Sequence, residues 1–122
     1  MESILVTDDD RNCRYAIQKI LERQGYAVES AADINSALQA LERKSFDLIV
    51  CDYRMEGETG LDLLAELSKR SRRIPVLMVS GCADFATERA AALGITKLLK
   101  KPVRRQDLLN SVAEGLALGL TA

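Results

Sequence analysis

Ile4-Leu5-Val6-Thr7-Asp8-Asp9-Asp10 is the stretch that decides the fold. Four uncharged residues run straight into three carboxylates. A run this short and apolar reads as a buried strand, which places the aspartates at its C-terminal end. Directly downstream, Cys13, Ala16, Ile17, Ile20 and Leu21 recur at i, i+3, i+4, i+7 and i+8, one face of a helix. Gly25 stands where such a helix stops.

The same alternation continues along the chain. Ala27-Val28-Glu29-Ser30 is a weaker strand, and Asp33 is placed to cap a helix with Ile34, Ala37, Leu38 and Leu41 inward. Leu48-Ile49-Val50-Cys51 is the next strand and ends at Asp52. Residues Glu56 to Gly60 read as a loop. A third helix on Leu61, Leu64, Ala65 and Leu67 frays into Lys69-Arg70-Ser71-Arg72-Arg73. Pro75-Val76-Leu77-Met78-Val79 is a strand ending at Ser80-Gly81. Asp84 is placed to cap a fourth helix through Leu93, closed by Gly94. A short strand from about Lys97 to Lys100 leads into Lys101-Pro102, and a fifth helix carries Leu108, Leu109, Val112 and Leu116.

This pattern is (βα)5. The strands at 4–7, 48–51 and 75–79 are almost wholly apolar, as expected when helices cover both sheet faces. Right-handed crossovers then predict an α/β fold with a doubly wound, five-stranded parallel sheet of flavodoxin-like order 2-1-3-4-5. Its functional crevice lies at the C-terminal strand ends, where the Asp, Ser and Lys residues fall.

Composition narrows the function. At 122 residues and 13.4 kDa the chain is one domain, with enough length to support its own core. We expect that domain to span 1–122, its core about 3–117, with 118–122 a tail or the start of a linker. The charged fraction of 29% beside 48% hydrophobic residues argues against disorder. No apolar run approaches the ~20 residues of a membrane span. A net charge of -1 argues against direct, general nucleic-acid binding. The absence of histidine excludes a histidine base, a Ser-His-Asp or Cys-His nucleophile and most zinc sites. Cys13, Cys51 and Cys82 are far apart and odd in number, which fits a reduced, cytoplasmic protein whose thiols pack as small apolar groups. Charge is uneven: residues 1–60 carry 12 acidic and 7 basic side chains, and residues 61–122 carry 6 and 10. The acidic first half points to a cation site there.

If the first strand lies beside the third, two or three of the carboxylates of Asp8, Asp9, Asp10 and Asp52 share one pocket. Like charges about 5 Å apart repel by roughly 3 kcal/mol at an effective dielectric near 20. A hard divalent cation such as Mg²⁺, which takes carboxylate, carbonyl and water oxygens, offsets that cost. The competing role for Asp10 is a helix start, which favours aspartate. Ser80 and Lys101 end the fourth and fifth strands, and Pro102 biases Lys101 toward an extended backbone that aims its ammonium into the crevice. Carboxylates, a cation, one hydroxyl and one ammonium suit phosphoryl transfer onto a carboxylate. Asp52 would attack phosphorus, Lys101 and the cation would neutralise phosphate oxygens, and Ser80 would hydrogen-bond one of them.

The sequence closely resembles the receiver domains of two-component response regulators. The resemblance rests on the Ile4–Asp10 stretch, Asp47-Leu48-Ile49-Val50-Cys51-Asp52-Tyr53-Arg54-Met55, Gly60-Leu61, Val76-Leu77-Met78-Val79-Ser80-Gly81 and Leu99-Lys100-Lys101-Pro102. It implies that Asp52 is the phosphoacceptor. Asp9, Asp52 and the backbone carbonyl of Arg54 would bind Mg²⁺, with Asp8 acting through water. Ser80 would be the switch hydroxyl and Lys101 the phosphate-binding lysine. It further implies a sensor histidine kinase or histidine phosphotransfer protein as donor, and a downstream target or fused output domain. In the family, phosphorylation draws the switch hydroxyl toward the phosphate while an aromatic ring on the fifth strand turns inward. Two positions depart from the pattern. Glu56 stands where the family usually has proline, and Leu98 stands where it commonly has Tyr or Phe.

Three other readings compete. Asp8-x-Asp10 after an apolar strand also resembles the haloacid-dehalogenase phosphatases, but Asp52 would then lack a role. A flavodoxin-like FMN carrier needs a phosphate loop where this chain has carboxylates. A receiver-like docking module would keep the fold and dispense with phosphorylation. The basic groups at Lys69–Arg73 and Lys97–Arg105 read as solvated faces or partner-docking surface.

Overall fold

The computed structural model describes residues 1–70, 73–81 and 97–121. Strand β1 (Ser3–Thr7) is followed by α1 (Arg11–Arg23), β2 (Ala27–Ala31), α2 (Ile34–Arg43) and β3 (Leu48–Asp52). Two short strands come next, β4 (Arg54–Met55) and β5 (Glu58–Thr59), then α3 (Gly60–Lys69) and β6 (Val76–Ser80). Strand β7 (Lys97–Lys100) and the last helix, α4 (Arg105–Thr121), complete the described elements. The expected helix from Asp84 to Leu93, its stop at Gly94, Cys82, and Ser71 and Arg72 of the first basic group lie outside the described residues.

Five strands form one parallel sheet in the order β2-β1-β3-β6-β7. Numbered by the strands of this sheet alone, that is the expected 2-1-3-4-5. The register sets the functional ends level: Thr7 lies opposite Cys51, Asp52 opposite Val79, and Ser80 opposite Lys100. Asp8, Asp52, Ser80 and Lys101 therefore meet along one edge.

Both sheet faces are covered, which explains the near-continuous apolar strands. Leu5, Ile49, Cys51, Val76 and Met78 pack with Ala37, Leu41, Leu63, Leu64 and Leu67 of α2 and α3. Ile4, Val6, Leu48, Val50, Leu77 and Val79 pack with Ile17 and Leu21 of α1 and Leu108, Val112 and Leu116 of α4. The helical stripe read for α1 is partly confirmed. Ile17 and Leu21 are buried and Cys13 and Ile20 half-buried, but Ala16 is exposed. Gly25 ends that helix as expected, at φ 104° with its N–H donating to the Glu22 carbonyl.

The stretch read as a loop at 56–60 is more ordered than that. Arg54 pairs with Thr59 and Met55 with Glu58 in an antiparallel ribbon around Glu56-Gly57, and Gly60 is already the first residue of α3. The basic run after α3 is partly engaged: Lys69 pairs with Glu66, and Arg70 with Glu42 and Glu66. Among the described residues, no helix is long and apolar enough to cross a membrane.

Candidate functional site

Asp8 follows the last residue of β1 and is almost fully buried. Its Oδ1 accepts the Asp10 N–H at 2.9 Å, an Asx turn that holds the carboxylate at the end of β1. Asp52 is the last residue of β3 and is 6% exposed. Lys101 follows β7 and brings its Nζ to 3.0 Å from Asp52 Oδ1 and 3.7 Å from Asp8 Oδ2. Its backbone N–H donates to the Ser80 carbonyl at 2.8 Å, so the ends of β6 and β7 are joined directly. Ser80 is buried at the end of β6. The Lys101–Pro102 peptide is cis.

The electrostatics follow from this packing. Burial raises the Asp52 carboxyl above its ordinary range; Lys101 pulls it down, Asp8 and Asp9 push it up, and the rise prevails. For Lys101, burial works against the charge, but the hydrogen bond to Asp52 and the nearby Asp8 outweigh it and raise the ammonium. Burial also raises the Cys13 thiol, and Asp8 adds to the effect. Cys51, fully enclosed beside Asp52, is raised further. Cys13 and Cys51 are both free thiols, which fits the reading of these two as packing groups.

The three aspartates do not act alike. One oxygen each from Asp8, Asp9 and Asp52 lies within 4.8 Å of the others. Asp10 turns away and caps α1, accepting the N–H groups of Asn12 and Cys13 at 2.9 and 3.3 Å. Of the two roles open to Asp10, the structure gives it the helix start.

The donor set fits a hard divalent cation. It is all oxygen, with carboxylates close enough to share one ion. Ionised, these three carboxylates carry three negative charges, and among the described residues only Lys101 stands within ion-pair distance of them. A dication balances the remaining two.

Sequence reasoning missed several supporting groups. Arg14 Nη1 donates to the Asp8 carbonyl at 2.8 Å. The Glu56 N–H donates to Asp9 Oδ2 at 2.7 Å. Glu58 Oε2 accepts the Ile34 N–H at 2.9 Å and so ties the ribbon to the start of α2. Arg54, whose carbonyl the sequence did single out as an implied metal ligand, opens that ribbon. Gly60 seats it: a Cβ there would meet Met78 Sδ and lie 3.0 Å from the Asp52 carbonyl oxygen. For Arg14 the only signal was a basic residue one turn into the helix that follows the aspartates. For the main-chain donor at Glu56 the only signal was that the residue is not proline.

A family model for the response regulator receiver domain matches residues 4–113. The transcriptional regulatory protein ZraR of Klebsiella oxytoca is 38% identical over 119 residues, which is 93% of this chain and 26% of that protein. The two-component response regulator ARR14 of Arabidopsis thaliana is 36% identical over 110 residues, covering 88% of this chain and 29% of that one. The chain thus spans under a third of the length of these two relatives. A CheY-like response regulator receiver domain protein from Methanospirillum hungatei superposes with a TM-score of 0.93 at 30% identity, covering 99% of this chain and 98% of that one. The chemotaxis protein CheY4 of Vibrio cholerae gives 0.89 at 29% identity, with 94% and 98% covered.

Proposed function

The chain belongs to the response regulator receiver domain family, and on that premise we propose that it is a signalling switch whose phosphoacceptor is Asp52. The observation that carries this reading is the Lys101 ammonium, 3.0 Å from Asp52 Oδ1 in a pocket shared with Asp8 and Asp9. An Asp52 carboxylate oxygen attacks the phosphorus of a phosphohistidine. The new P–O bond forms as the P–N bond to the donor breaks, and the electron pair leaves with the imidazole. Lys101 Nζ neutralises charge on the phosphate oxygens, and the Ser80 hydroxyl donates to one of them. Asp8, Asp9, Asp52 and the Arg54 carbonyl would hold Mg²⁺, Asp8 through water; the ion supplies further positive charge to the phosphate oxygens. The chain's own part is positioning and charge neutralisation, so it acts as an acceptor rather than a turnover enzyme.

The donor is a sensor histidine kinase or a histidine phosphotransfer protein, and the setting is cytoplasmic. One receiver domain spans 1–122, and it signals to a downstream target or to an output domain of a longer chain. Intact-protein mass spectrometry with acetyl phosphate and Mg²⁺ tests the assignment. The wild type should gain one phosphoryl group and Asp52→Asn none; equal labelling of the two would sink it.

A further inference from the structure

The ribbon after Asp52 carries a contact that depends on the residue type at position 56. The Glu56 N–H donates to Asp9 Oδ2 at 2.7 Å. Proline, which the family usually has here, lacks this donor. Asp9 itself is exposed, so without a partner its side chain would sample several rotamers in water. A carboxylate offers about four lone-pair sites, and one N–H leaves the others open to a cation.

We propose that the main-chain N–H of Glu56 is a positioning group that holds the Asp9 carboxylate over the Asp8–Asp52 pocket and thereby tightens divalent-cation binding. The inference rests on the metal reading given above. Its physical basis is preorganisation: a side chain ordered beforehand loses less freedom when the ion arrives. The ribbon is anchored well enough to act in this way. Glu58 Oε2 accepts the Ile34 N–H at 2.9 Å, and the Gly60 N–H donates to the Tyr53 carbonyl at 2.6 Å. The donor therefore stands on a turn fixed at α2 and again at the start of α3. The Glu56 carboxylate has no part in this role; the amide does the positioning.

The turn geometry makes the idea testable. Gly57 supplies the positive φ of that turn, 76°, and Glu56 precedes it with its N–H on Asp9. Glu56→Pro removes the N–H. Glu56→Ala and Glu56→Gln keep the N–H and remove the charge. Calorimetric titration of the metal-free chain with Mg²⁺ should give Ala and Gln variants of similar affinity. Glu56→Pro should bind roughly three- to tenfold more weakly than Glu56→Ala, the size expected for ordering one side chain. Asp9→Ala should move the Glu56 amide proton upfield in NMR spectra, a readout that needs neither metal nor the proline variant. Equal or tighter Mg²⁺ binding by Glu56→Pro overturns the inference, as does an unmoved Glu56 amide in Asp9→Ala. A wild type that takes up no Mg²⁺ overturns the metal reading itself, and this inference with it.

Discussion

At Asp52 two opposed influences meet in one carboxylate, and their balance has a measurable sign. Lys101 stands 3.0 Å away and favours the ionised form, but burial, Asp8 and Asp9 together raise the carboxyl above its ordinary value. That shift already includes the ion pair, so ionised Asp52 weighs against the fold. A group raised in this way contributes its stability below the unfolded value near 3.8 and loses it as pH rises through the folded value. At neutral pH, Asp52→Asn should therefore raise the melting temperature of the metal-free chain, by about 3–6 °C if the relief is about 1 kcal/mol. The gain should vanish below about pH 3.8. Adding Mg²⁺ should raise the wild type and leave Asp52→Asn nearly unmoved. Thermal melts at neutral and acid pH, with and without Mg²⁺, check all three arms; a lower neutral-pH melting point in Asp52→Asn would show that the ion pair dominates. The placement of Asp8, Asp9, Asp52 and Lys101 was legible in the sequence because each follows or ends a run of strand-like residues. The division of labour between Asp9 and Asp10 was not. Aspartate serves a metal and a helix start equally well, and only the turn of the backbone decides which N–H groups it meets.

Helix α2 shows how far an element can be read and where that stops. Asp33 was legible as its N-cap, and it accepts the Ser36 N–H at 2.7 Å. The second acceptor at the same helix end, Glu58 on the Ile34 N–H, comes from 24 residues away and leaves no local pattern. The backbone hydrogen bond from Ser36 holds the Asp33 carboxyl below its ordinary value. Its contribution is thus full above about pH 3.8 and lost as pH falls through the depressed folded value. Asp33→Ala should cost about 1 kcal/mol at neutral pH. Wild type and variant should converge in acid, and denaturant melts at two pH values would reveal an acid-independent difference if the carboxylate played no part. The ribbon of β4 and β5 was read as loop for a related reason. Two-residue strands are too short to display alternation, so period carries no information there. Gly57 in its turn and Gly60 just after it also look alike in sequence but do different work. Gly57 supplies a positive φ, whereas Gly60 supplies room against Met78 and the Asp52 carbonyl.

At the level of the whole molecule, the sheet ties the end of β3, where Asp52 stands, to the neighbouring β6 and β7. Lys101 and Ser80 share a main-chain hydrogen bond, and Leu98, two residues before the end of β7, lies opposite Met78. Leu98 is half-buried against the cluster formed with α2 and α3, whereas its neighbour Leu99 belongs to the cluster on the α1 and α4 side. The order of the strands and the two-sided core were readable because buried parallel strands are nearly all apolar. A segment that would carry the response, 82–96, lies outside the described residues. A leucine at position 98 can shift between packed rotamers, but it has no hydroxyl to exchange between solvent and interior. On the proposed mechanism, the response to phosphate passes through the Ser80 hydroxyl and the chain that follows it, with Leu98 as passive packing. Leu98→Ala should leave the phosphorylation rate nearly unchanged, because its side chain packs against the apolar cluster formed with α2 and α3. Ser80→Ala should still accept the phosphoryl group but fail to pass the change to the surface. NMR shift maps of the wild type and both variants, with and without beryllofluoride as the phosphate mimic, separate these outcomes. Wild type and Leu98→Ala should show changes spreading from Ser80 into the following segment, and Ser80→Ala should confine them to the neighbours of Asp52. A full wild-type response in Ser80→Ala would remove the hydroxyl from the mechanism.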